Sequence, residues 1–71
     1  MRYEMLLSFD ALIEALQEQG LEETYNNLYN LFGDFIVVVI DWDNGVLGEF
    51  EHPCDFYEFL QVVYEKLNRE V

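Results

Sequence analysis

Three side chains of the sequence could support nucleophilic catalysis, namely Ser8, His52 and Cys54. A nucleophile of this kind needs a base within reach and a further group that orients the base. Ser8 is the only serine and precedes an apolar helical pattern, so we expect it to cap a helix. His52 and Cys54 flank Pro53 at a predicted helix start, which favours a turn histidine and a small buried thiol. We therefore predict that the protein is not an enzyme and has no catalytic residue.

Oxygen-bearing side chains gather around one predicted turn and are of the type that binds Ca²⁺. They are Asp41, Asp43, Asn44, Glu49 and Glu51. An EF-hand loop has glycine at its position 6, whereas Gly45 is fifth when counted from Asp41. Paired carboxylates also act as acid and base in glycoside hydrolysis, but a chain of 71 residues leaves little room for a sugar cleft. The sequence therefore predicts no metal site and no cofactor.

The net charge is the strongest feature of the composition. Fifteen Asp and Glu residues against three Lys and Arg residues give a formal net charge of -12. The basic residues Arg2, Lys66 and Arg69 lie near the ends, so fourteen carboxylates and no Lys or Arg occur from Tyr3 to Glu65. An anionic substrate would find no counter-charge in this region, and there is no glycine-rich phosphate loop. These features disfavour nucleotide chemistry and direct binding of nucleic acid.

Each predicted element carries a group of like charges. Asp10, Glu14 and Glu18 recur every four residues on the first predicted helix, about 6 Å apart along its axis. Like charges at this spacing destabilise a helix by roughly 0.2–0.5 kcal/mol per pair. We predict that these residues bind a partner together with residues of the hairpin and the last helix. The predicted set is Asp10, Glu14, Glu18, Asp41, Asp43, Glu49, Glu51, Asp55, Glu58, Glu65, Tyr57 and Tyr64.

A surface of one charge sign imitates the phosphate array of a nucleic acid. Such a surface is suited to the basic nucleic-acid-binding cleft of a nuclease or another basic protein, and long-range attraction would guide it there. Exposed tyrosines would add contacts that are common in binding hot spots. The candidates are Tyr25, Tyr29, Tyr57 and Tyr64. We therefore predict a small acidic inhibitor that acts by nucleic-acid mimicry.

Short acidic proteins without a catalytic set resemble, as a class, the inhibitors that phages use against host nucleases, including anti-restriction and anti-CRISPR proteins. They are also similar to the immunity proteins that neutralise nuclease toxins. No segment of the chain matches a particular family, so no residue role follows from this likeness. Two alternatives stay open. One is a homodimeric interaction module joined through a sheet edge, and the other is a charged surface that only keeps the protein soluble.

The pattern of apolar residues predicts one α+β domain over residues 1–71. Helical spacing predicts a first helix over Phe9–Gln19, ended by Gly20, and a second helical pattern runs from Leu21 to Gly33. Pro53 opens a last helix, which we expect to pack on the sheet. The core stripe of the last helix is predicted to contain Phe56, Phe59 or Leu60, Val63 and Leu67.

Between these helices the sequence predicts a β-hairpin. The run Phe35–Ile40 is apolar on both faces, which is typical of a strand in the middle of a sheet. Asn44-Gly45 predicts a type I′ turn that would pair Ile40 with Glu49. A third strand is expected either from Arg2–Leu7 or from a second copy of the chain.

Several features predict a soluble protein of the cytoplasm. Cys54 is the only cysteine, which excludes an intrachain disulfide and fits a reducing compartment. The N-terminal segment lacks the apolar core of a signal peptide. The longest apolar run, Phe35–Ile40, has six residues, whereas about 20 are needed to span a bilayer. Because an acidic surface is repelled by anionic lipid, we predict no membrane partner.

Overall fold

The computed structural model describes residues 3–69, which form three strands, three α-helices and one 3-10 helix. In chain order the elements are β1 (Tyr3–Ser8), α1 (Phe9–Gln19), α2 (Leu21–Tyr29), the 3-10 helix (Asn30–Gly33), β2 (Phe35–Asp41), β3 (Gly45–Phe50) and α3 (Pro53–Arg69). The predicted α+β class is confirmed. The order of elements differs in one respect, because a strand precedes the first helix.

The three strands form one sheet in the order β1-β2-β3. β1 runs parallel to β2, from Tyr3 opposite Phe35 to Ser8 opposite Ile40, and β3 runs antiparallel on the other side of β2. The N-terminal segment therefore supplies the third strand, which was one of the two predicted sources. β2 has the predicted central position. Arg2, the first residue of the predicted segment, lies outside the described residues.

The chain passes from β1 into α1 without a loop, since Ser8 ends the strand and Phe9 begins the helix. Ser8 has the extended backbone of an N-cap residue, but its side chain makes no capping hydrogen bond. The prediction that the Ser8 side chain caps the helix is therefore wrong. Asp10 lies in the first turn of α1, where its negative charge interacts favourably with the positive end of the helix dipole.

The hairpin register differs from the predicted one by two residues at Val38 and by three at Ile40, because a β-bulge lies between them. Glu49 pairs with Val38, and Ile40 pairs with Val46 rather than with Glu49. The turn consists of residues 42–44, and Asp41 pairs with Gly45 across it. Because the difference at Val38 is an even number of residues, Glu49 stays on the predicted side of the sheet.

Side-chain hydrogen bonds explain why the turn is longer than two residues. The Asp41 carboxylate accepts a hydrogen bond from the backbone nitrogen of Asp43 at 3.3 Å and another from Nδ2 of Asn44 at 2.9 Å. Gly45 follows with a φ of 79°, the left-handed conformation that ends many three-residue hairpin loops. Aspartate before a turn stabilises the backbone two residues further on, so Asp41 favours the wider turn.

The helices pack on the side of the sheet that carries Val37 and Val39, both of which are fully buried. The rest of the core consists of Leu12, Leu16, Phe32, Phe56, Leu60 and Val63. Of the two residues predicted as alternatives in α3, Leu60 is fully buried and Phe59 is half-buried. Phe56 is central, since its ring centroid is 5.3 Å from that of Phe32 and 5.5 Å from that of Phe50. Complete burial of such a side chain stabilises the fold by about 1.5–3 kcal/mol.

The second helix is shorter than the sequence pattern predicts. α2 ends at Tyr29, and the 3-10 helix continues the chain to Gly33. The asparagines at positions 26, 27 and 30 have low helix propensity, which accounts for the early end. α2 instead relies on tertiary contacts. Thr24 is buried and accepts a hydrogen bond from Nε2 of Gln19 at 3.4 Å.

Replacing Gly45 with alanine should lower the free energy of unfolding by about 1–2 kcal/mol, because an L-residue is strained in the left-handed region. Gly33→Ala is the matched control, since Gly33 has no positive φ and has open space where a Cβ would lie. It should be neutral or stabilising by up to about 1 kcal/mol. Urea denaturation measures both variants, and equal destabilisation would contradict the turn geometry.

Candidate partner-binding surface

Acidic side chains face solvent on nearly every element of the domain. Of the fourteen carboxylates between Tyr3 and Glu65, all are exposed except that of Asp41, which is half-buried. The two basic residues within the described part of the chain, Lys66 and Arg69, lie in the last turn of α3. At that position they complement the helix dipole. The rest of the described surface therefore has a single charge sign.

The most regular array is the acidic stripe of α1, which consists of Asp10, Glu14 and Glu18. Leu12 and Leu16 of the same helix are buried in the core, which directs the stripe away from the sheet. The last turn of α1 contains no basic residue. The structure therefore brings these three predicted residues together on one outer face.

A second acidic group surrounds a concavity of about 540 Å³ at one end of the sheet. Its lining residues are Glu4, Ile36, Glu49, Glu51, His52 and Asp55. We call the four carboxylates of this lining the acidic end of the sheet. They come from β1, from β3 and the residue after it, and from the first turn of α3. Nowhere in residues 3–69 are three His, Cys, Asp or Glu side chains close enough to hold a metal ion.

Glu4 was not predicted as a member of the site. It reaches the acidic end because β1 places it beside Ile36 in the parallel pair, on the side of the sheet away from the helices. The alternation of Glu4, Leu6 and Ser8 with the residues between them is the signal that predicts this facing. Because the third strand was expected either from Arg2–Leu7 or from a second copy, the sequence did not place Glu4 at this site.

The other predicted acidic residues lie apart from both groups. Asp41 ends β2 and Asp43 lies in the turn. Asp41 is three residues along β2 from the partner of Glu49, or about 10 Å. Glu58 and Glu65 are exposed on α3, on the side opposite its buried stripe. The predicted partner-binding residues are thus divided among several surfaces of the domain. A flat partner surface cannot contact all of them.

The tyrosines are more buried than the sequence interpretation expected. The ring of Tyr57 packs edge-on against Tyr25 of α2 at 4.8 Å between centroids, and Tyr25 also contacts Tyr29 at 5.7 Å. Tyr64 is half-buried against the core. Only Tyr29 of the four candidates is exposed. Burial raises the pKa of the Tyr25 phenol above its ordinary value of 10.0, and the neighbouring Tyr29, Cys54 and Tyr57 raise it further.

His52 and Cys54 are both exposed beside Pro53 at the start of α3. The predicted buried environment of Cys54 is therefore wrong. The His52 carbonyl accepts a hydrogen bond from the backbone nitrogen of Phe56 at 3.3 Å, which begins the helix. The local role of this segment is to start α3.

No known protein family, curated protein or solved structure is significantly similar to this chain. Within residues 3–69, none of the helices combines the length and the apolar character that crossing a membrane requires. The function must therefore be inferred from the surface of the domain itself.

Replacing Glu14 and Glu18 with glutamine should stabilise the domain by about 0.4–1 kcal/mol at low salt, because both like-charge pairs of the stripe are removed. The control variant Glu22→Gln, Glu23→Gln also removes two negative charges, but from the first turn of α2. It should destabilise the domain, because negative charges there interact favourably with the helix dipole. Urea denaturation at low and high salt measures both effects. The difference between the variants should shrink as salt screens the charges, and a difference unaffected by salt would contradict the electrostatic cause.

The raised pKa of Tyr25 makes the stability of the domain sensitive to alkaline pH. Because the folded pKa lies above the unfolded value of 10.0, this stability is fully present below pH 10 and is lost as the pH rises through the folded value. Tyr25→Phe should therefore lose less stability than Tyr29→Phe between about pH 9 and pH 11. Denaturation curves at several pH values test this, and equal losses in the two variants would contradict it.

Proposed function

We propose that this protein is a stoichiometric inhibitor that occupies the basic nucleic-acid-binding cleft of a partner protein, such as a nuclease, and excludes nucleic acid from it. It acts by binding rather than by catalysis and uses no cofactor. Its place of action is the cytoplasm, where the free, exposed thiol of Cys54 would stay reduced. The observation that carries this proposal is the charge of the domain per unit of length.

The domain is 42 Å long. Fourteen carboxylates less the two basic side chains of Lys66 and Arg69 leave twelve negative charges on residues 3–69. One nucleic-acid strand carries a charge every roughly 3.4 Å, or about 12 charges over this length, and a duplex carries about twice as many. The linear charge of the domain therefore equals that of a single strand.

Helices and strands fix the backbone positions of most of the charged residues. Binding therefore need not order the backbone that carries them, and the ordering cost is limited to the side chains. The attraction of these charges for a basic cleft acts over a long range and accelerates association. Repulsion within the acidic stripe opposes folding, and the positive charges of a cleft would relieve it. A binding role thus explains why residues that destabilise the free protein are present.

The two acidic groups lie on opposite sides of the domain, since the stripe of α1 faces away from the sheet and the acidic end lies on the other sheet face. The domain is only 17 Å thick along its shortest axis. A basic cleft that receives the domain edge-on would therefore contact both groups. This geometry favours a cleft over a flat surface as the binding site of the partner.

A homodimer joined through the sheet is the second candidate, and it is favoured by the exposure of Leu6 and Val46. The charge opposes this candidate, because each copy brings a net charge of -12. A dimer of this kind should form more readily as salt rises, whereas capture of a basic partner should weaken.

The proposal predicts that the immobilised protein retains a nucleic-acid-binding partner from an extract of the native host or from a panel of purified nucleases. Once saturated with the protein, that partner should no longer bind duplex or single-stranded nucleic acid. The variant Asp10→Asn, Glu14→Gln, Glu18→Gln should bind the partner at least about tenfold more weakly, which corresponds to 1.4 kcal/mol.

The matched control is the variant Glu22→Gln, Glu23→Gln, Asp34→Asn, which also loses three negative charges but none from the stripe. It should weaken binding much less. Normal nucleic-acid binding by the saturated partner would disprove the mimicry. Equal weakening by both variants would instead assign binding to total charge and not to the stripe.

A further inference from the structure

One face of the sheet is left open by the described residues. The helices cover the face with Val37 and Val39, so the alternate residues of each strand point to the other side. Leu6 of β1 and Val46 of β3 flank β2 there, with relative exposures of 63% and 61%. Trp42 in the adjoining turn is 91% exposed. We call the side chains of Leu6, Ile36, Ile40, Trp42 and Val46 the open apolar face. Val38 lies at the centre of the same side of the sheet but is itself buried, at 3% exposure.

The composition of β2 is unusual for a strand with one face in water. Its three residues on the side away from the helices are Ile36, Val38 and Ile40, and none of them is polar. Val38 is buried, whereas Ile36 and Ile40 are half-buried. Antiparallel sheets that leave one face in water usually have polar residues on that face. The apolar side chains of Ile36 and Ile40, beside the exposed Leu6 and Val46, therefore fit a face that a partner covers further.

The size of the open apolar face fits a helix. Three strands spaced about 4.8 Å apart and about six residues long give a surface of roughly 14 by 20 Å. An α-helix with its side chains is about 10–12 Å wide, and about 13 residues span 20 Å. The face is much smaller than the roughly 800 Å² per partner of a standard stable interface. It therefore needs a further source of affinity next to it.

The acidic end of the sheet provides that source, because Glu4, Glu49 and Asp55 adjoin the open apolar face around Ile36. Lys or Arg side chains at one end of a bound helix would contact these carboxylates. A second copy of this chain would instead be repelled, since its acidic end would lie against carboxylates of the same charge. Charge complementarity thus selects a basic partner over a homodimer.

We propose that the open apolar face is the docking site for a basic amphipathic helix of the partner protein. The apolar stripe of that helix packs on Leu6, Ile40 and Val46, and its basic residues contact the acidic end of the sheet. This inference rests on the proposed function for the basic character of the partner, and it adds the surface and the element that are recognised.

Trp42 provides a direct measurement, because it is the only tryptophan and borders the open apolar face beside Ile40 and Val46. The probe is a synthetic Lys/Leu peptide of about 14 residues without tryptophan, with leucines at helical spacing along one side. Titration into the full chain should shift the Trp42 emission to shorter wavelength and saturate. A scrambled peptide of the same composition should give no such shift. An unchanged emission, or the same shift with both peptides, would overturn the proposal.

Two valines of similar exposure on opposite layers provide matched variants. Val46→Lys, on the open apolar face, should weaken peptide binding about tenfold through loss of apolar contact and added repulsion. Val62→Lys, at 52% exposure on α3, makes the same change of charge and should weaken binding less than about threefold. Leu6→Lys provides an independent test on the other side of β2 if Val46→Lys fails to fold. Equal effects of Val46→Lys and Val62→Lys would overturn the docking site.

The outcomes also separate this inference from the proposed function. If Val46→Lys and Leu6→Lys fold and still exclude nucleic acid from a captured partner as well as the wild type, the docking site is wrong and the function stands. A second outcome is that both variants fail to bind the peptide while a partner saturated with the wild-type protein still binds nucleic acid. In that case the proposed function is wrong and the docking site stands. A blue shift of Trp42 with rising protein concentration alone, together with a dimer in sedimentation, would assign the face to a second copy.

Discussion

The packing of the helices against Val37 and Val39 determines which side of each helix faces water and which face of the sheet is covered. These two side chains are fully buried, and the stripes of α1 and α3 meet over them together with Phe32. Burial of one stripe fixes the rotation of each helix, so the residues on its opposite side must face water. The positions of Asp10, Glu14 and Glu18, and of Glu58 and Glu65, follow from that packing. The charged surface is therefore a consequence of how the core is made.

The same packing leaves the domain with two unlike sides. The helical side is acidic and most of its apolar residues face the core, whereas the sheet side has apolar residues at its centre and carboxylates at one end. Carboxylates border the exposed apolar residues at one end, and in a protein of net charge -12 the repulsion between copies opposes self-association. Under the proposed function, the same charge would favour a partner of opposite sign. Both effects follow from the absence of Lys and Arg between Tyr3 and Glu65.

The sequence predicted the helices of this fold better than the sheet. The bounds of α1 and the start of α3 are confirmed, because Gly20 and Pro53 act locally and the apolar spacing is regular. The hairpin register could not be predicted, since it depends on the Asp41 carboxylate bonding to Asn44 and Asp43. The parallel pairing of β1 with β2 joins segments about thirty residues apart in the chain, which no local pattern encodes. The stripe of α1 was predictable from spacing alone, but the acidic end required this pairing to bring Glu4 beside Ile36.

The salt dependence of the association between this protein and a captured partner distinguishes electrostatic mimicry from apolar binding. If the carboxylates replace the phosphates of a nucleic acid, the logarithm of the association constant should fall linearly with the logarithm of the salt concentration. The slope should be less steep for the Asp10→Asn, Glu14→Gln, Glu18→Gln variant. An association constant that stays the same or increases from low to high salt would contradict electrostatic mimicry and would assign the binding to apolar contacts.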